Sequence, residues 1–414
     1  MSLIYYLLGS RPAVSAITFP ALSKSVFAIN YKIAKSIGLF LLWMIQLAAL
    51  ISAGMSLSFA VESPSSASTI GSCTLFPSET IFHQRIDDPV AFPAHPRSVA
   101  WLSLIGRTKA LRPDWGLNDK PHDRENYFGI PYNTVSGAPG DSIWEAIDFT
   151  IVDARDGNGV GVPAESDCGV PRMNAPNGKA LVRGCSNKDP GVRLFPFPYD
   201  NALKLEGGVC TGPGQCGDRH LLVVETGACR LWEGYYVYRS KGRWQMYSAA
   251  AWNLNSSEMR PDTWTSADAA GLPILPFLAR ADEASRGEVR HPLRVTFRDS
   301  VLDRQYVWPA RHAAGNRVAG GIPFGAVLRL RGDYQPPAHW TAQAKALVKA
   351  MKNYGLYVTD IGSDFFVTGE PSREWHPDTI GQLRKLTLDL FEFVDLESIT
   401  RHPKFRSDSF RSSW

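Results

Sequence analysis

Six cysteines, Cys73, Cys168, Cys185, Cys210, Cys216 and Cys229, sit in the body of the chain, and none falls among the first 72 residues. An even number of cysteines behind an apolar N-terminus reads as three disulfides made in an oxidising compartment. That restricts the fold more than any other feature, because three covalent links must close loops in a chain rich in turn residues. The cysteine count leaves many pairings open, but spacing favours two local links. Cys168 and Cys185 bracket a Gly/Asn/Lys-rich segment, and Cys210 and Cys216 bracket Thr-Gly-Pro-Gly-Gln. Cys73 and Cys229 then remain for a long-range bridge. A zinc–thiolate site would need clustered Cys-x-x-Cys pairs, which the sequence lacks, and no metal or other cofactor is expected.

The N-terminus points to the same compartment. Residues 36–61 carry no charge, Ile37–Ile51 is almost wholly apolar, and Ser58-Phe59-Ala60 places small residues where a signal peptidase cuts. Residues 1–60 are therefore expected to be a signal peptide cleaved after Ala60. The alternative is an uncleaved anchor, since about 20 apolar residues span a bilayer. Membrane contact is expected through this leader alone. Residues 61–72 read as a polar linker, 73–402 as a single β-rich domain and 403–414 as a flexible tail. The formal charge of +4 has the same origin. Arg11, Lys24, Lys32 and Lys35 lie in the leader with no acid beside them, and the other basic residues balance the acidic ones. A neutral body does not fit nucleic-acid binding.

With 35 glycines and 29 prolines, the chain favours short strands over long helices. Arg219–Glu225 and Cys229–Tyr238 read as a hairpin turning around Thr226–Gly227, with 244–252 continuing the meander. In 289–298, His291, Leu293, Val295 and Phe297 alternate with Arg290, Arg294, Thr296 and Arg298, which predicts a half-buried antiparallel strand. Residues 305–308 and 326–331 read as further strands, and loops and short strands are expected from Cys73 to Leu205, the apolar run 98–105 included. Thr341 caps a predicted helix over 342–354 that ends at Gly355. Two strand-like runs, 356–360 and 365–368, and a short helix around 379–386 follow. The expected fold class is mainly β, a sandwich or jelly roll, with a small C-terminal α/β element and no oligomerisation.

Several blocks occur in a fixed order: Gly217-Asp218-Arg219-His220, Cys229-Arg230-Leu231-Trp232-Glu233, Trp264 to Pro273, Gly287 to His291, Trp308-Pro309-Ala310-Arg311-His312 and Gly362-Ser363-Asp364. Over 73–395 the chain thereby resembles a widespread family of secreted bacterial proteins that has no established catalytic assignment. The resemblance implies export. It also implies two insertions. The family runs Ser-Asp-Pro-Gly directly, whereas Ser166-Asp167 and Asp189-Pro190-Gly191 are separated here. Between Glu206-Gly207-Gly208 and Asp218 the second insertion holds Cys210 and Cys216. Both insertions are bracketed by cysteines, in keeping with the local pairs.

For chemistry, period two places Asp218 and His220 on one face of their strand. The predicted hairpin sets His220 opposite Glu233 or Gly234, with Asp218 near Tyr235. Asp218, His220, Glu233 and Glu206 are thus the candidate catalytic set for general acid–base work. The competing reading is a self-satisfied polar network that fixes strand register. Arg219, Arg311, His312, Tyr235 and Trp264 are candidate binding residues, with Trp101, Trp115 and Trp340 as further aromatics for sugar stacking. His291, on an apolar face, reads as a hydrogen-bonded core residue. The ten arginines between Arg280 and Arg331 read as a solvated, charge-interleaved face. Nucleophile-elbow, P-loop and dinucleotide motifs are missing from the sequence. The expectation is a secreted carbohydrate-active protein, a polysaccharide hydrolase or lyase. Its rival is a non-catalytic envelope or glycan-binding protein. In either case the partner is a polysaccharide.

Overall fold

A computed structural model describes residues 68–123, 127–138, 140–151, 161–185, 193–210 and 212–400. The predicted signal or anchor segment and the tail after residue 402 lie outside the described residues. Among the described residues no helix is long and apolar enough to cross a membrane.

Three sheets of four or six strands make up most of the described structure, beside two two-stranded ones. In the central one, Leu221–Glu225, Arg230–Tyr235 and Ser248–Asn253 form an antiparallel meander, and Tyr132–Val135 joins the outer side of Leu221–Glu225 in parallel. Alternation sends Leu221, Val223, Trp232, Ala249 and Ala251 to one side, and Leu222, Val224, Leu231, Ala250 and Trp252 to the other. Both sides are buried, which is why these strands read as nearly continuous apolar runs.

Against the first side lies a sheet built from Ile143–Asp148, Asp167–Pro171, Lys179–Arg183, Leu194–Phe197, Tyr238–Ser240 and Arg243–Gln245. It supplies Ile147, Phe195, Phe197 and Trp244 to a shared core, which makes this half a sandwich. Facing the larger core on the second side are Phe391–Phe393, Val327–Leu330, Leu356–Ile361, Leu293–Phe297, Phe366–Thr368 and Arg112–Asp114, in that order across a mixed sheet. The fold is mainly β.

Several expectations are corrected. The α/β element is not small: its sheet has six strands, one of them from residues 112–114. The run over 98–105 is a helix, because its buried residues Ser98, Trp101, Leu102 and Ile105 recur at helical rather than alternate spacing. Leu293–Phe297 is only partly antiparallel: it pairs in parallel with Leu356–Ile361 and antiparallel with Phe366–Thr368. Both of its faces are buried, Arg294 at 3% exposure. The body also begins before Cys73, since Thr69–Ile70 pairs with Cys73–Thr74 and Ile70 is buried.

Local signals fare better. Ala342–Asn353 is helical, Thr341 Oγ1 accepts from the Ala344 N–H at 3.1 Å, and Leu347, Val348 and Met351 are buried. Gly355 stops the helix at φ +78°, where a Cβ would stand 2.7 Å from the Val327 side chain. The disulfides are Cys73–Cys229, Cys168–Cys185 and Cys210–Cys216, the pairs that spacing favours. Three such links fit folding in an oxidising extracellular or periplasmic space.

Loop-closure entropy predicts unequal worth for these bridges. Removing the Cys73–Cys229 link, which spans 156 residues, is expected to cost about 5 kcal/mol, against about 2 kcal/mol for Cys210–Cys216, which spans 6. Urea denaturation of the two Cys→Ser double variants checks the order, and equal losses would contradict it.

Candidate functional site

The hairpin register differs from the expected one. Leu222 lies opposite Glu233 and Leu221 opposite Gly234, so His220 falls level with Tyr235, whose ring centroid is 5.5 Å from the imidazole. The reason is a longer turn: Arg230 pairs with Glu225, leaving four residues between the strands instead of a tight Thr226–Gly227 turn. Arg219 also leaves the extended region, at φ +54°.

His220 and Glu233 do share a sheet face, but each is engaged differently. Glu233 is fully buried. Its Oε1 accepts the N–H groups of Ile274 (2.9 Å) and Leu275 (3.0 Å), and its Oε2 accepts Trp252 Nε1–H at 3.1 Å. Burial pushes its carboxyl up to about 7 against those hydrogen bonds. Glu233 therefore fastens the 264–278 segment to the central sheet and offers nothing to solvent. Ser248 adds a parallel fastening, its hydroxyl donating to Ser266 O at 2.8 Å.

His220, 1% exposed, lies between two acceptors. Nδ1 is 2.7 Å from Glu206 Oε2, and Nε2 is 3.0 Å from Ala267 O. A carboxylate and a carbonyl both require a donor, so the ring is held as an imidazolium. Burial opposes that charge, yet the Glu206 carboxylate, its hydrogen bond and nearby Asp218 raise the pKa to about 9. Glu206 is correspondingly held below the usual range: burial works against its charge, and His220 outweighs it. The same Glu206 Oε2 accepts the His220 backbone N–H at 3.0 Å. Arg219 fixes the segment bearing Glu206 by donating Nη1 to the carbonyls of Glu206 (2.8 Å) and Gly208.

Three acids and one arginine that the sequence did not single out as chemistry complete the cluster. Arg294 makes a two-pronged pair with Asp268, at 3.1 and 2.8 Å, donates to Thr368 Oγ1 at 2.8 Å and approaches Asp360 at 3.4 Å. Asp360 is pushed well up by burial and by the charge of Asp268. Asp114, half-buried, is pushed up to about 6 by burial and by Glu206, with Arg294 pulling the other way and Asp218 adding to the rise. Glu206, Asp218 and Asp360 are also half-buried, so this side of the cluster meets solvent.

Gly129 brings a further group beside it. At φ +94°, a Cβ there would stand 2.3 Å from Gly369 O and 3.0 Å from Asp114 O. Only glycine fits so close to the Asp114 backbone, and the residue before it, Phe128, accepts the Gly116 N–H at 3.1 Å. Tyr127 is buried, feels the charges of Arg219, Asp119 and Glu206, and its hydroxyl has no hydrogen-bond partner among the described residues. Phe128 is 53% exposed.

The remaining candidates lie elsewhere or are occupied. Arg311 donates to Arg260 O at 3.0 Å and faces Asp262, while His312 Nδ1 is 2.7 Å from Ala269 O. Trp264 is half-buried beneath the Arg260 guanidinium. Trp101, Trp115 and Trp340 are each 3% exposed, so they are core residues rather than sugar platforms. His291 is buried against Glu283 at 2.9 Å and Pro292 O at 2.7 Å. The arginines between Arg280 and Arg331 are not a free basic face: most meet acids, such as Arg286 with Asp282, Arg294 with Asp268, Arg298 with Asp364 and Arg329 with Glu392.

Comparison with protein-family models, with curated proteins and with solved structures finds no match to this chain.

Two outcomes follow from this geometry. Because His220 is raised from 6.5 to about 9, its contribution to stability is complete below pH 6.5 and is lost as pH rises through 9. Denaturation midpoints of the wild type should fall over that window, and Glu206→Gln should remove the dependence; an unchanged slope would argue against the pair. Glu233→Ala leaves three buried N–H groups without an acceptor and is expected to cost at least about 3 kcal/mol. Glu233→Gln, which keeps a carbonyl oxygen for the backbone donors, should cost clearly less in the same urea titration.

Proposed function

We propose that this protein is an exported carbohydrate-active enzyme that hydrolyses glycosidic bonds in a polysaccharide, with Asp114 as proton donor and Glu206 as the ionised partner. The observation that carries this reading is the pair of neighbouring, solvent-reaching acids with opposite protonation tendencies. Asp114 is pushed up to about 6 and Glu206 is held ionised. Glycoside hydrolysis needs that division: one carboxyl protonates the departing oxygen, and a carboxylate attacks or activates water.

The surroundings support each role. Glu206 Oε2 is fixed by the His220 ring and backbone, so the carboxylate is oriented before substrate arrives. Ionised Glu206 and Asp218 keep the Asp114 proton from leaving too easily, and Arg294 limits that effect. Asp218 adds charge beside Asp114, which suits stabilisation of positive charge developing at the sugar ring. Phe128 offers an exposed apolar face. Glu233, foreseen as a catalytic partner of Asp218 or Glu206, has a fastening role in this reading.

The test is incubation of the exported chain with a panel of polysaccharides, reading new reducing ends. Cleavage should fall as pH rises through about 6, where Asp114 loses its proton. Asp114→Asn and Glu206→Gln should each lower the rate at least ~100-fold with folding retained. Binding without cleavage across the panel, or a rate unaffected by either variant, would overturn the hydrolase reading in favour of a glycan-binding protein.

A further inference from the structure

Gly362-Ser363-Asp364 stood out in the sequence as a motif, and the acid cluster does not use it. In the fold it forms one wall of an open cavity of about 510 Å³, whose other lining residues include Lys109, Arg112, Arg298 and Phe366. This cavity and the acid cluster occupy the same face of the same sheet. Arg112 and Asp114 are two residues apart on one strand, with Pro113 buried between them. Arg294, Thr296 and Arg298 follow the same alternation, and Phe366 lies level with Arg112 and with Thr296. The cavity therefore begins about 7 Å along the strand from Asp114, roughly one sugar residue away.

Its charge is unbalanced. Three cations face one acid, Asp364, which binds Lys109 at 2.6 Å and also takes Arg298. Arg298 is consumed by the wall, since it donates further to Ser300 Oγ (3.1 Å) and to the carbonyls of Ile105 (3.2 Å) and Leu104 (2.8 Å). Arg112 is different. It is exposed, and its guanidinium has neither an acid nor a hydrogen-bond acceptor among the described residues. Lys109, 44% exposed at its side chain, has three N–H donors and one acidic partner. A planar guanidinium beside an ammonium, with the exposed Ser363 near them, is suited to an oxyanion such as a carboxylate or a sulfate ester. Phe366 supplies an apolar surface for the ring that bears it.

We infer that Arg112 and Lys109, with the Gly362–Asp364 loop, form a subsite for the anionic substituent of an acidic polysaccharide, next to the sugar bound at the acid cluster. The inference rests on the glycan-cleaving reading and narrows its substrate class to polymers carrying uronate or sulfate groups. It does not depend on Asp114 or Glu206 being catalytic, so the two can fail separately.

Affinity electrophoresis of the exported chain tests it, with polygalacturonate and alginate as carboxylate probes, dextran sulfate as the sulfate probe and dextran as the neutral control. At least one acidic polymer should bind tenfold or more tightly than dextran, and which arm responds distinguishes carboxylate from sulfate. Arg112→Glu should abolish that preference, whereas Arg112→Lys should keep part of it. Lys241→Glu, an equal charge change at an exposed turn between two strands of another sheet, should leave it intact. Equal losses in Arg112→Glu and Lys241→Glu would reduce the effect to net charge and overturn the subsite. Binding of acidic polymers that depends on Arg112, without cleavage, would keep the subsite and remove the hydrolase. Cleavage of a neutral glycan that Arg112→Glu leaves unchanged would do the reverse.

Discussion

Arg294 and Asp268 make the contact on which most of the other features depend. Both are buried, and their two-pronged pair joins a long connecting segment to a sheet strand. A lone charge at either position would be severely destabilising, so the two groups persist only together and only with every donor aimed. Arg294 meets this demand by also serving Thr368 and approaching Asp360. Its positive charge is then the counterweight for a group of acids that would otherwise repel one another. Arg294 is the cation that works against the rise of both Asp360 and Asp114, so removing it would push both carboxyls further up.

The segment that carries Asp268 is held from its other side by the central sheet. Glu233, Ser248 and His220 all reach it, through Ile274 and Leu275, Ser266 and Ala267 respectively. One irregular stretch thus ties two sheets together through buried polar contacts rather than through apolar packing alone. Such networks specify one arrangement because a shifted register would leave several groups unsatisfied at once. The same design accounts for the half-buried acids. They sit where the polar seam between sheets meets solvent, with His220 and Arg294 behind them.

Some of the site was legible and some was not. Glu206 and His220 could be named because they lie in a short, acid- and glycine-rich stretch leading into a clear strand. Glu233 could be named too, but its alternation pattern says only which sheet side it occupies, and that side is core here. Asp114 was invisible. It ends a three-residue strand that pairs in parallel with Phe366–Thr368, more than 250 positions away, and a strand so short leaves no periodicity. Arg294 reads as solvated from the sequence for a related reason: alternation reports two faces, not whether a second layer covers the polar one.

What the sequence by itself determined is local. The cap at Thr341 and the stop at Gly355, the apolar runs of the central strands and the two short disulfide loops each depend on residues close in the chain, where composition and spacing act directly. The third disulfide then followed by elimination. Only the tertiary structure decided the register of the central hairpin, the helix over 98–105 and the convergence of Asp114, Glu206, Asp218, Asp268, Arg294 and Asp360. These depend on which sheet faces are covered and on pairings between distant strands. Their energies come from burial and from charges brought together through space, quantities that residue spacing does not encode.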